Sequence, residues 1–278
     1  MRNLLLSLLS ILCVGLHAQD AVRSEKTALV MVHYGTTYDA PRQKTIDRLN
    51  DLARQRFPQM DMREAWTSRM IMKRLKAKGV EKATLYETLR QLQREGYRHV
   101  VVQSSNVIEG TEQQQIRGVA DQLAADFSSI GVGHPLLYSV DDAQRVCNIL
   151  VKRHPASADS LQHVVFVGHG TAGPATALYS QLDYMLHAAG HRNHHVATIE
   201  GYPTYDTLLA QLREAGARRV KLVPLLFIAG GHATNDIDRR WRQQLEQAGF
   251  TVDVVLEGLG EIPEIQAIYM EHIESAMK

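Results

Sequence analysis

The sequence predicts an α/β protein made of two similar halves, each a mainly parallel sheet flanked by helices, with a cleft between them. Three observations carry the prediction. Short β-branched runs alternate with helical patterns along the chain from Thr27, the signature of parallel strands joined by crossover helices. The plan of the first half recurs in the second. Core strands in both halves break into glycine turns, at His33-Tyr34-Gly35-Thr36 and at Gly168-His169-Gly170-Thr171.

Thr27 to Val32 is an apolar run and reads as the first strand. A helix is expected over 40–56, a strand over 60–65, and helices over 67–78 and 82–95. HVVVQS at 99–104 reads as a strand and Glu109-Gly110-Thr111 as a turn. A helix then fits 112–127, and an edge strand 131–138. In the second half a helix over 141–152 leads into Val164 to Val167, too short and too β-branched to be anything but a buried strand. Helices are expected over 175–189, 205–215, 233–248 and 263–277, and strands over 195–200, 219–228 and 251–257.

The repeat holds at residue level. VMVHYGT (30–36) lies over VFVGHGT (165–171), pairing Tyr34 with His169 and Gly35 with Gly170 at an offset of 135. EGYRHVVVQSSNVIEGTE (95–112) lies over AGARRVKLVPLLFIAGGH (215–232), pairing Gly96 with Gly216, Gly110 with Gly230 and Glu112 with His232 at an offset of 120. The difference of 15 residues is an extra segment in the first half, expected near 67–80. Glu64 is read as the counterpart of Glu200.

Hydrophobic content of 45% and charged content of 22% exclude disorder, and 278 residues suffice for two domains. A formal net charge of +1 argues against a nucleic-acid partner. Residues 1–18 read as a secretory signal: Arg2 is the positive region, Leu4 to Leu16 the apolar segment and Ala18 the last residue before cleavage. The expected organisation is therefore a signal at 1–18, an N-terminal domain at 19–140 and a C-terminal domain at 141–278, in a periplasmic protein with no membrane span once the signal is removed. Cys13 alone would suggest a lipoprotein, but Leu12 before it is bulky for such a site. The mature chain then keeps a single cysteine, Cys147, so neither a disulfide within it nor a thiolate metal site can form.

Glu112, His169 and His232 are the candidate site. Each falls near the C-terminal end of a core strand, where open α/β sheets bind ligands. Two imidazoles and a carboxylate suit Co²⁺, Ni²⁺, Fe²⁺ or Zn²⁺ and leave coordination positions open. The bland alternative for each histidine is a strand-turn cap. His169 is also the candidate base, since imidazole titrates near neutral pH. The run His191 to His195 reads as a solvated loop before a strand, His33 as a strand-end residue for which lining the cleft is the lesser alternative, and the remaining histidines as surface or packing residues. Asp236 either caps a helix or orients His232. Glu64 and Glu200 either face the cleft or cap the helices after them. The chain has no G-x-x-x-x-G-K-[ST], G-x-G-x-x-G or G-x-S-x-G, so nucleotide use and serine hydrolysis have no support.

At these residues the chain resembles the class II tetrapyrrole chelatases, on the side of the anaerobic sirohydrochlorin cobaltochelatases of CbiK type. The stretches are ALVMVHYGTTYDAPR, EAWTSRMI, VVVQSSNVIEGTE, VVFVGHGT, LDYMLHA, IEGYPTYD, VPLLFIAGGHATND and LEGLGE, spread over residues 28–261. The resemblance implies two four-stranded domains, with the last helix packing back toward the first. It implies that His169, His232 and Glu112 hold the metal and that no nucleotide is needed. The substrates implied are Co²⁺, with Ni²⁺ or Fe²⁺ as alternatives, and an acidic tetrapyrrole, for which Arg42, Arg69 and Lys73 are candidate cationic partners. A homo-oligomer is compatible with this reading. A periplasmic haem-, tetrapyrrole- or metal-binding protein without turnover, or ferrochelatase-type iron insertion, would need the same ligands. Two features depart from the family: Asn106 stands where many relatives have histidine, and cobalamin assembly is cytoplasmic whereas residues 1–18 here read as a secretory signal.

Overall fold

A computed structural model describes residues 25–157 and 161–278, so the secretory signal expected at 1–18 lies outside the described residues. The first sheet contains β1 (Thr27–His33), β2 (Asp61–Trp66), β3 (His99–Ser104) and β4 (Ser129–Val132) in the order β2-β1-β3-β4. The second contains β5 (Gln162–Gly168), β6 (His194–Thr198), β7 (Arg219–Leu225) and β8 (Thr251–Val254) in the order β6-β5-β7-β8. Every pairing is parallel. The central strands β1 and β5 are buried on both faces, which is why they read as unbroken apolar runs.

The helices of the first half are α1 (Asp39–Arg42), continued through a π-helical stretch at Gln43–Asp47 into α2 (Arg48–Arg56), then α3 (Arg69–Lys76), α4 (Leu85–Arg94) and α5 (Thr111–Gln122). Those of the second are α6 (Val140–Arg153), α7 (Ala177–Ala188), α8 (Tyr205–Glu214), a π-helical stretch at Ala233–Trp241 leading into α9 (Arg242–Gln247), and α10 (Pro263–Ala276). Ser68 caps α3, and a Thr84–Glu87 capping box starts α4.

The duplication is written in the backbone hydrogen bonds. Gly110 N–H donates to the Ile108 carbonyl at 2.8 Å and Gly230 N–H to that of Ile228 at 2.9 Å. Gln114 then bonds Gly110 as Thr234 bonds Gly230, and Tyr97 bonds Leu92 as Ala217 bonds Leu212. Gly96 and Gly216 hold matching positive φ values of 81° and 69°. Tyr34 and His169 each follow the last residue of a central strand. α3 has no counterpart between β6 and α8 and is the extra segment. Glu64, however, is not the partner of Glu200: it pairs Met31, as Val196 pairs Phe166, and so corresponds to Val196. Glu200 corresponds to Ser68, because Ser68 N–H donates to the Tyr34 carbonyl as Glu200 N–H donates to that of His169.

Three apolar clusters fill the layers. One covers the outer face of the first sheet (Val30, Leu89, Ile116) and one the outer face of the second (Val165, Leu208, Trp241). The largest joins Met31 of β1 to Phe166 of β5 through α2, α6, α7 and α10. α10 belongs to the second half by sequence but lies against β3, β4 and α2. Gly131 admits it, since a Cβ there would fall 2.0 Å from the Ala276 carbonyl oxygen.

Two expected strands shift. The edge strand expected over 131–138 is β4, ending at Val132. Leu136 and Leu137 are buried, but their N–H groups bond the carbonyls of Asn106 and Val107, so the apolar run is a loop seated in the core. β7 ends at Leu225 rather than 228, and Pro224, without an N–H, lies beyond the last β7–β8 pair, Leu222 with Val254.

Candidate active site

The C-terminal ends of the strands open into a cavity of about 690 Å³, lined from both halves and by Tyr34, Glu112, His169, Glu200 and His232 among others. That size falls within the range of roughly 300–1,000 Å³ typical of small-molecule sites.

His169 leaves β5 between two glycines that must be glycines. A Cβ on Gly168 would lie 2.1 Å from the Tyr179 ring, and one on Gly170 1.4 Å from the Glu200 carbonyl oxygen. His169 Nδ1 sits 3.2 Å from the Gly170 carbonyl. A carbonyl can only accept, so in the neutral ring Nδ1 carries the proton and Nε2 keeps a lone pair. His232 opens the π-helical segment, and its Nδ1 lies 2.8 Å from Asp236 Oδ2. Asp236 Oδ1 is in turn held by Arg240 at 3.2 Å. The carboxylate therefore orients His232 and likewise leaves Nε2 available, as in carboxylate–histidine–metal arrangements. The two rings meet edge to face, with centroids 4.6 Å apart and an interplanar angle of 87°.

Two carboxylates flank this pair. Glu112 stands in the first turn of α5. Its side chain reaches solvent through the cleft, yet desolvation by the walls raises its carboxyl above the ordinary range, and His169 pulls it partly back. Glu200 follows β6 on the same side as His169, joined to it by a 2.8 Å backbone hydrogen bond. The structure thus brings Glu112, His169 and His232 into one cleft. It does not close them into a finished coordination shell: the only three His, Cys, Asp or Glu groups among the described residues whose ligand atoms all lie within 4.8 Å of one another are elsewhere.

Other expected positions are corrected. Arg42, Arg69 and Lys73 do not line the cleft; Arg42 is tied to Asp39 and Asp47. Arg74 lines it instead, with Met70 and Ile71, because the inward face of α3 is one residue round from Arg69 and Lys73. His33, as its lower rank among the histidines suggests, does not line the cleft: it is fully buried and bonded to Ser105 and Asn50. Glu64 anchors a half-buried network with Asn50, Trp66 and Lys82; burial opposes its charge most, but Lys82, His33 and the Trp66 N–H together hold the carboxyl below its ordinary range. His194 and His195 are not a solvated loop but buried residues of β6. Asn106 lines the cleft, bonded to Gln113.

The chain matches the family model described as cobalt chelatase (CbiK) over residues 27–278. It is 34% identical over 258 residues to the sirohydrochlorin cobaltochelatase of Salmonella typhimurium, covering 91% of this chain and 97% of that protein. It is 30% identical over 269 residues to the sirohydrochlorin cobaltochelatase CbiKC of Nitratidesulfovibrio vulgaris, covering 95% of each. Among solved structures it resembles SirB from Bacillus subtilis with Fe³⁺ at a TM-score of 0.65 and 14% identity, over 91% of this chain and 96% of that one. It also resembles CbiX at a TM-score of 0.56 and 18% identity, over 90% of this chain and all of that one. Those two likenesses concern the fold.

Proposed function

The chain belongs to the CbiK cobalt chelatase family, and on that premise we propose that it inserts Co²⁺ into sirohydrochlorin in the cleft at the strand ends. The observation that carries the reading is the edge-to-face pair of His169 and His232, each with Nδ1 engaged and Nε2 available to an ion in the cleft. The metal is a substrate here, held and then given up, which suits few protein ligands and open positions. The third ligand is a carboxylate: Glu112, as the resemblance implies, or Glu200, which the backbone bond to His169 favours by proximity.

Insertion releases two pyrrole protons for each M²⁺ taken up by the macrocycle. His169 has one available lone pair, so it cannot hold the ion and accept a proton together. As the ion leaves Nε2 for the macrocycle nitrogens, that nitrogen becomes free to take the first proton. Glu112, with its raised carboxyl, takes the second. Arg74 meets an acidic side chain of the tetrapyrrole.

An absorbance assay with sirohydrochlorin and Co²⁺, Ni²⁺ or Fe²⁺ tests the proposal. Turnover above the spontaneous rate is expected, and a stoichiometric spectral shift without turnover would make the protein a binder instead. His169→Ala and His232→Ala should each lower insertion by about a hundredfold or more, the scale of removing a group that acts in the reacting complex. Insertion at the wild-type rate in both would show the site to be elsewhere. Comparing Glu112→Gln with Glu200→Gln separates the carboxylates: the ligand lowers Co²⁺ affinity, the proton acceptor lowers the rate at saturating Co²⁺. We further propose that the protein is exported, on the strength of Arg2 and the leucine-rich run after it. Intact mass of the native protein should place its N-terminus near Gln19.

A further inference from the structure

At the outer edge of the second sheet, away from the cleft, lies a second cluster of metal-ligating side chains. β6 is an edge strand, and its outward backbone groups need partners. α7 supplies them from successive turns: Asp183 Oδ1 accepts the Val196 N–H at 2.8 Å, and His187 Nε2–H donates to the His194 carbonyl at 2.9 Å. Because a carbonyl only accepts, neutral His187 keeps its lone pair on Nδ1. On the strand, His195 Nε2 lies 2.8 Å from His163 Nδ1, while His195 Nδ1 is buried with no partner, in a residue only 2% exposed. His187 and His195 each use one ring nitrogen in the fold and leave the other uncommitted, while Asp183 takes the Val196 N–H and a bond from Gln211.

The three side chains converge. The ligand atoms of Asp183, His187 and His195 lie within 4.8 Å of one another. Asp183 Oδ2 is 3.9 Å from His187 Nδ1, too far for a hydrogen bond. An ion with ligands at about 2.1 Å in tetrahedral array sets its ligands about 3.4 Å apart, so a small inward movement would seat one. Capping of the β6 edge accounts for Asp183 and His187, but it leaves a buried imidazole nitrogen bare, which folded proteins avoid.

We propose that Asp183, His187 and His195 form a second metal site, separate from the cleft, for a divalent first-row ion of the Zn²⁺ type. Two imidazoles and one carboxylate are a borderline donor set suited to such an ion, and the backbone and imidazole bonds around them orient the ligands as outer partners do in metal sites. Burial lowers the His195 ring to about 3, with His163 and His187 adding to the effect, so it stays neutral and able to ligate. Gln211 of α8 bonds Asp183 and has a buried amide oxygen without a partner, a candidate fourth ligand. His187, with a third of its side chain exposed, is on the entry side. His195 precedes Glu200 by five residues of mostly extended chain, about 17 Å, so the ion would not touch the cleft. It would clamp α7 to the sheet edge, and α7 carries Tyr179, the ring that packs beneath Gly168 beside His169.

The test uses the mature chain carrying His169→Ala and His232→Ala, so that the cleft no longer competes. Titration with Zn²⁺ against a chromophoric chelator should find about one equivalent bound, with a Zn²⁺-dependent rise in melting temperature. Adding Asp183→Asn, which still accepts from Val196, or His187→Gln, which still donates to His194, should weaken binding at least roughly tenfold and abolish that rise. A folded cleft-deficient protein binding less than about a tenth of an equivalent overturns the proposal, as does undiminished binding in both added variants.

Discussion

Gly170 shapes the site by lacking a side chain. Its φ of 84° lies in the left-handed region, and a Cβ would strike the Glu200 carbonyl. Gly170→Ala should therefore cost about 1–3 kcal/mol of stability and lower Co²⁺ insertion together, read by thermal melting and the absorbance assay. Glu112 gives a prediction of opposite sign. Its carboxyl is raised in the fold, so the folded state holds a proton there that the unfolded chain has lost, and stability falls as pH rises from the ordinary glutamate range through the raised value. Glu112→Gln should thus melt higher than wild type at neutral pH, with the difference vanishing in acid below both values. Equal melting at pH 7 would show that the carboxyl is not desolvated. His169 and His232 were legible because glycines mark the strand ends that carry them. Arg74 was not, since choosing Lys73 or Arg74 depends on a helix phase that α3 takes from Ile71 and Leu75 packing inward. The partner of Glu200 escapes sequence alignment because the two halves differ in length between β1 and β2, a slip that only strand register reveals.

Elements were legible where one periodicity governs them and not where two compete. β1, β3 and β5 follow from β-branched runs, and α4 from its capping box. The π-helical stretch Ala233–Trp241 reads as an ordinary helix, because its apolar spacing fits both. The sequence pattern starts β6 at His195, a residue late, and leaves its histidines in solvent, since a histidine letter does not say whether the ring is neutral and paired. Burial lowers the rings of His33, His154, His194 and His195, the last to about 3. The unfolded chain takes up protons at these sites below the ordinary histidine range while the fold does not, so stability is lost as pH falls from about 6.5 toward 3. Urea midpoints at pH 7.5 and 5 should show the loss at pH 5, accompanied by net proton uptake on unfolding. An unchanged midpoint would mean these rings titrate freely in the fold.

The whole molecule depends on α10. Ile265, Ile268, Tyr269 and Ile273 are all fully buried in the cluster that joins the sheets, and the Tyr269 hydroxyl donates to the carbonyls of Ser105 and Asn106 at the cleft wall. Tyr269→Ala should cost about 3–5 kcal/mol, the scale of deleting a buried aromatic. Tyr269→Phe keeps the packing and removes a donor from the Ser105 carbonyl, while the Asn106 carbonyl keeps the Leu136 N–H, a loss of about 1–3 kcal/mol. The phenylalanine variant should also raise the KM for the tetrapyrrole, because Asn106 lines the cleft. Kinetics and thermal melting of the two variants separate these effects. The return of α10 rests here on the family resemblance, because its apolar pattern says that it is buried and not against which sheet.

That return has a mechanical consequence. The chain passes from the first sheet to the second through α6 and comes back through α10, so the halves are joined by two straps lying side by side in the cluster between them, α6 against α10. Bodies joined by one strap can swing and twist. Bodies joined by two can only fold about the line through both, like covers on a spine. The histidine pair is carried by the second half alone, so its geometry does not depend on how the two straps flex, whereas Glu112 comes from the first half and its distance to the pair does.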